Sequence, residues 1–233
     1  MGGLFKTSPP AAPRTLRVLA RLLGYPDAEL RANLAAMSQV LHEEAVLPKA
    51  RLAELDALLA QIGRLDALDA EADYVQLFDS GRRTSLHLFE HVHGDSRERG
   101  PAMIDLAQTY EKGGLYLAEG EMPDYLPVVL EYASTQPPAQ ARAFLSEVAH
   151  ILNAIFNALE KRESCYASVL GALLEMAGET ARAVAITPDE PLDIAWAEPA
   201  AFDGCSTQGQ AKPGDPQPVR IVRRTNPAQG AST

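Results

Sequence analysis

Residues 79–96, DSGRRTSLHLFEHVHGDS, hold three imidazoles beside carboxylates and guanidinium groups, so chemistry is sought there first. His87 and His91 stand four residues apart, a spacing that puts two imidazoles on one helix face as a metal pair. A zincin places Glu directly after the first His. Here Glu90 precedes the second His instead, and no third strong ligand follows at a family spacing. The expectation is that His87, His91 and His93 cap, hydrogen-bond, pack at a turn or meet a partner, with no resident metal. Ser85 and Ser96 lie near these histidines, but no G-x-S-x-G elbow is present. Cys165 and Cys205 are far apart and neither is beside a His, which gives no disulfide framework and suits a reducing cytosol. Neither a G-x-x-x-x-G-K-[ST] loop nor a G-x-G-x-x-G turn occurs. No catalytic residue, no cofactor and no enzyme activity are expected.

Charge points to recognition instead. The chain of 233 residues carries a net charge of −10. Four of its basic residues and only two acidic ones fall in residues 203–233, so the remainder is more acidic than the total implies. Nucleic acid and anionic membrane need clustered Lys and Arg, so neither is expected as a partner; a basic polypeptide is. Arg82, Arg83, Arg97 and Arg99 form a local basic island. Such an island can hold a phosphate, but surface pairing with Glu90, Asp95 and Glu98 is the simpler reading. Around residues 119–131, Glu119, Glu121, Asp124 and Glu131 alternate with Met122, Leu126 and Val129. Acid beside apolar surface suits a groove for a basic amphipathic peptide, and Asp124 also stands where it can cap a helix.

The elements that must position these groups are helical. No alternating apolar run is long enough for a sheet, and no apolar run approaches the ~20 residues of a membrane span. Leu16, Leu19, Ala20 and Leu23 open the first helix, stopped by Gly24 and Pro26. Asp27 caps a second helix reaching about Val46, and Pro48 begins a third. A fourth covers residues 67–78, where Tyr74, Leu77 and Phe78 share a face. A short helix over 85–91 and a long one capped by Ser96 follow, the latter ended by Gly113 and Gly114. Asp124 caps the next, with Pro127 in its first turn. One apolar stripe runs from Ala141 to Leu159, and a last helix covers 163–182. The expected fold is all-α, a single domain of about eight helices over residues 14–202. Residues 1–13 and the Pro/Gly-rich residues 203–233 read as disordered tails. The start, MGGLFKTSPPAAPR, has no apolar stretch of signal-peptide length.

Four pieces then carry a resemblance. The longest, YVQLFDSGRRTSLHLFEHVHGDSRERGPAMIDLAQTYEKGGL from Tyr74 to Leu115, resembles the signature region of the NarJ family, the nitrate reductase molybdenum cofactor assembly chaperones, within the TorD/DmsD-like maturation proteins. RLLGYPDAEL (Arg21 to Leu30), EMPDYLPVVLEYAS (Glu121 to Ser134) and LDIAWAEPAAF (Leu192 to Phe202) resemble further family segments, in the right order. One position departs: the family box carries His after its Pro-Asp pair, and this chain has Tyr125.

The resemblance implies an all-helical cytoplasmic chaperone that is absent from the finished enzyme. It would bind the apo catalytic (alpha) subunit of respiratory nitrate reductase through that subunit's N-terminal segment. It would hold the subunit competent for iron–sulfur and molybdenum cofactor insertion before membrane docking, with molybdenum cofactor biosynthesis proteins as further partners. The residues expected to touch the partner peptide are Tyr74, Leu77, Phe78, Phe89, Glu90, His91 and His93 on one side, and Asp124, Tyr125, Pro127, Glu131 and Tyr132 on the other. About half of Tyr74, Leu77, Phe78 and Phe89 should be core, since aromatic and Leu residues at helical spacing usually are. The alternatives are a metal-dependent helical hydrolase using His87, His91 and His93, and a helical adaptor with no maturation role.

Overall fold

A computed structural model describes residues 11–94 and 96–183. The tail residues 1–10 and 203–233, the Leu192–Phe202 piece, Pro188, Pro191, Asp95 and Cys205 lie outside the described residues. All described residues fall in one unit, residues 1–187. They form eleven α-helices: α1 Pro13–Leu22, α2 Ala28–Ala32, α3 Leu34–Glu44, α4 Lys49–Arg64, α5 Ala67–Phe78, α6 Leu88–Val92, α7 Arg99–Lys112, α8 Leu126–Thr135, α9 Pro138–Glu147, α10 Ala149–Lys161 and α11 Ala167–Ala177. A 3-10 turn, Arg82–Thr84, precedes α6. Among the described residues the only extended pairing is an isolated antiparallel bridge between His87 and Tyr125. None of these helices is long and apolar enough to cross a membrane.

The core forms around α1, whose Leu16, Leu19, Leu22 and Leu23 side are buried against α8 and α3. Ala12 offers no side-chain cap to this helix. Glu44, at the end of α3, supplies one instead: its carboxylate accepts the backbone N–H of Thr15 at 2.6 Å and of Arg14 at 3.2 Å. A carboxylate at a helix N-terminus satisfies orphan donors and suits the positive end of the helix dipole. The bundle continues through α10 and α11, where Leu152, Ile155, Leu159, Val169, Leu170 and Leu173 have essentially no solvent contact.

The helix count exceeds the expected number of about eight, and two of the extra helices arise because two stripes break without losing register. The helix expected from Asp27 to Val46 is interrupted at Asn33, whose side-chain amide donates to the Glu29 carbonyl at 2.8 Å and competes with the backbone ladder. Arg31 holds the break by donating to the Ile62 and Leu65 carbonyls at the end of α4. The stripe from Ala141 to Leu159 breaks at Val148, yet Leu145, Ala149 and Leu152 keep the i, i+4, i+7 spacing across it. Periodicity alone cannot show such a break. Two ends also move. Ser96 does not cap α7; its hydroxyl accepts only the Glu98 N–H, and the helix starts at Arg99. The last helix is shorter than 163–182, because Gly178 adopts φ 81° and ends it.

A second, smaller cluster joins α7 to α8: Tyr110 and Tyr132 stack with centroids 4.8 Å apart, and Phe144 meets Tyr132 at 5.3 Å. Gly113, just past α7, allows this approach, since a Cβ there would lie 2.6 Å from the Tyr132 ring. Gly113→Ala is expected to lower stability by about 1–3 kcal/mol through overpacking, read from urea unfolding; Gly114→Ala separates the packing effect from that of φ, because its Cβ would meet nothing within 4 Å.

Candidate functional site

The His-rich segment is pinned to the start of α8 by main chain. Leu88 N–H donates to the Asp124 carbonyl at 3.0 Å, and Leu126 N–H to the Leu86 carbonyl at 2.8 Å. Between them stands Asp124, whose side chain has no solvent contact. The expected capping role is real but is served on another helix. The α8 N-terminus has no side-chain cap. Asp124 Oδ2 instead accepts the Phe89 N–H in the first turn of α6 at 3.2 Å, and Oδ1 lies 3.2 Å from His87 Nδ1. Arg99, the first residue of α7, places its guanidinium 3.7 Å from Asp124 and 3.6 Å from Glu90.

These contacts set the protonation of the imidazole. The hydrogen bond that His87 donates to Asp124 raises the His87 pKa above its ordinary value, opposed by burial and by Arg99, and assisted by the charges of Asp124 and Glu90. His91 and His93 serve other ends: His91 Nε2 bonds to the Ser85 carbonyl at 2.9 Å, and His93 meets Phe89 edge-on at 5.4 Å. Three imidazoles thus have three different partners. Among the described residues no group of three His, Cys, Asp or Glu side chains shares a metal-sized site.

Tyr125 continues the surface. Its ring lies 5.2 Å from His87, and its hydroxyl 3.2 Å from that of Tyr74. Burial raises its pKa, so the phenol stays neutral at pH 7 and acts as an aromatic with a polar tip. Tyr74 is buried; its hydroxyl donates to the Leu23 carbonyl at 2.7 Å, and its ring touches Tyr25 at 5.7 Å and Phe78 at 4.8 Å. A continuous path therefore runs from Tyr25 through Tyr74 and Tyr125 to His87, Asp124, Glu90 and Arg99.

The twelve expected contact residues divide by burial. Tyr74, Phe78, Asp124, Pro127 and Tyr132 are buried; Leu77, Phe89, Glu90, His91, His93 and Tyr125 are half-buried; Glu131 is exposed. Tyr132 belongs to the Tyr110 cluster, and Phe78 packs on Tyr166 in the core. Tyr25 and Arg99 were not singled out as contact residues. Tyr25 could have been, since its ring follows a helix stop in a Gly-Tyr-Pro-Asp turn and is 44% exposed. A separate apolar cavity of about 350 Å³ lies between α1, α9 and α11, lined by Leu16, Leu145 and Met176 among others. None of the twelve residues lines it.

Two outcomes follow from the buried carboxylate. Asp124→Ala strips the acceptor from Phe89 N–H and His87, and is expected to cost about 3 kcal/mol in urea unfolding, more than the ~1 kcal/mol typical of a lost cap. A raised folded-state pKa means that the His87 contribution is complete below the unfolded value and is lost as pH rises through the folded one. The stability gap between the wild type and His87→Gln should therefore be larger at pH 6 than at pH 8.5; a gap that grows with pH would contradict the assignment.

Comparison with known proteins gives the lineage. The family model described as nitrate reductase delta subunit matches residues 27–170. The nitrate reductase molybdenum cofactor assembly chaperone NarJ of Escherichia coli K12 is 44% identical over 162 residues, covering 70% of this chain and 69% of that protein. The probable chaperone NarW of the same strain is 38% identical over 194 residues, covering 78% and 80%. The probable chaperone NarJ of Bacillus subtilis 168 is 33% identical over 163 residues, covering 69% and 86%. A family match over residues 27–170, which contains the two central resembling pieces whole, with identities of this size over most of each partner, places the chain in the nitrate reductase delta subunit family, that of the NarJ-type proteins.

Proposed function

We propose that this protein is a maturation chaperone for respiratory nitrate reductase and performs no bond chemistry of its own. It binds the N-terminal segment of the apo catalytic subunit in the cytoplasm. It keeps that subunit open to iron–sulfur and molybdenum cofactor insertion until it docks at the membrane. Molybdenum cofactor biosynthesis proteins would meet it at the same stage.

The observation that carries this reading is the face of α5 and its neighbours. Helix α5 and its two caps hold Asp66, Asp69, Glu71, Asp73 and Asp79 and no basic residue. Leu68 (74% exposed) and Val75 (41%) stand among these acids. Tyr25 is joined to this helix through Glu71, its hydroxyl 2.9 Å from the carboxylate. Tyr74 then links the helix to Tyr125 and the His87–Asp124 surface. Exposed apolar residues ringed by carboxylates fit a basic amphipathic helix, which would bury its apolar stripe while charge sets approach and register. The names of the relatives support the reading, since they are described as assembly chaperones for the same enzyme.

The test is calorimetric titration with a synthetic peptide copying the N-terminal segment of the catalytic subunit, beside pull-down of the apo and mature subunits. Asp69→Lys with Asp73→Lys, both exposed, should weaken the peptide roughly tenfold or more, about 1.4 kcal/mol, while unfolding stability changes little. Affinity should also fall with added salt. Equal capture of apo and mature enzyme would favour an adaptor and defeat the chaperone reading.

A further inference from the structure

Arg99 is held in a way that a purely structural arginine is not. Its guanidinium stands between two carboxylates, 3.6 Å from Glu90 and 3.7 Å from Asp124, and reaches hydrogen-bonding distance of neither. A guanidinium paired for stability closes to about 2.7–2.9 Å, often with two bonds. The position also works against its charge. Arg99 is the first residue of α7, where the helix dipole disfavours a cation.

The helix that carries it is thinly attached. Of the residues of α7 only Tyr110, at the far end, is buried. Its hydroxyl donates to the Pro123 carbonyl at 2.8 Å, which fixes that end. At the near end Pro101 and Ile104 are exposed, Ile104 by 59%. Gly94, ahead of α7, has φ 50°, a conformation that glycine adopts without strain. Val92, beside that turn, is 52% exposed.

We propose that Arg99 is a resident stand-in for a cation of the partner peptide: α7 pivots about Tyr110, Arg99 withdraws, and an arginine or lysine of the incoming segment takes its place between Glu90 and Asp124. The pivot uncovers an acid pair together with the half-buried apolar side of α7, Met103 and Leu106. A basic amphipathic segment needs both at once. While no partner is present, Arg99 keeps the buried carboxylate of Asp124 compensated and the apolar side covered. The latch thereby discriminates against peptides that lack a cation, because opening without replacement would leave the Asp124 and Glu90 carboxylates with the His87 imidazole as their one cationic neighbour on this face among the described residues. This inference rests on the reading of this face as a partner-binding site, and it adds what guards that site.

The experiment uses the full chain with Arg99→Ala and, to keep the side-chain volume, Arg99→Gln. N-acetyl-arginine amide is titrated into each and into the wild type, with His87 side-chain and Phe89 amide resonances observed by NMR. The same proteins are then titrated with the synthetic N-terminal peptide of the catalytic subunit, and amide exchange is followed in α7. Saturable shifts in Arg99→Ala and none in the wild type are expected. Faster exchange over residues 99–106 is also expected, with peptide binding roughly tenfold tighter in both variants, since the internal competitor is gone. No saturable arginine-amide binding to Arg99→Ala, or peptide binding unchanged or weaker in both variants, overturns the proposal and makes Arg99 a strut. If the wild type ignores the peptide, the chaperone reading falls with it, whereas the arginine-amide arm still decides whether the pocket takes a cation.

Discussion

A carboxylate removed from water must find its compensation inside the protein, and Asp124 is such a group. Its oxygens are met by a backbone N–H of α6, the imidazole of His87 and, more loosely, the guanidinium of Arg99. These partners come from two places in the chain, residues 87–89 and the start of α7. The described residues of 79–98 have few buried side chains, chiefly Thr84, Ser85, Leu86 and Leu88. Burial of those four could not by itself hold so irregular a segment against its conformational entropy. The two main-chain bonds of the His87–Tyr125 bridge and the buried charge do so together, and they set the position of every aromatic and imidazole on that face.

The remainder of the molecule can be read as support for this crossing. Helix α8 carries Asp124 and Tyr125 at its start and lies along α1, whose leucines form the centre of the core. Tyr74, from α5, ties the same place to the end of α1 by donating to the Leu23 carbonyl. A well-packed two-helix base thus presents a segment whose own packing is modest. That division suits recognition of an extended or amphipathic polypeptide, for which the base supplies register and the lighter elements α6 and α7 supply adjustment. At Tyr125 a neutral phenol supplies both the ring contact with His87 and the hydrogen bond with Tyr74.

Much of the fold was legible from spacing. The apolar stripes of α1, α4, α5, α8 and α10, the Asp27 cap and the Gly113 stop appear where the residues indicated. Breaks at Asn33 and Val148 were not legible, because a one-residue interruption that preserves the stripe leaves the pattern unchanged. The site was half legible. That histidines, carboxylates and aromatics of residues 74–93 and 124–132 belong to one region followed from the chain and its resemblance. Their individual surroundings did not, and Tyr132, Phe78 and Pro127 are buried in this chain.

What the amino-acid order decides by itself is helical class, acidity and the absence of standard nucleotide or nucleophile motifs, because each depends on neighbours within a few residues or on composition. What tertiary structure decides is which helix Asp124 caps, which carboxylates enclose Arg99, and whether three nearby histidines meet or part. Asp124 is 35 residues from the N–H that it accepts and 37 from the imidazole that it binds. Contacts at that separation are set by how helices pack, and packing depends on the whole core rather than on any local run of residues.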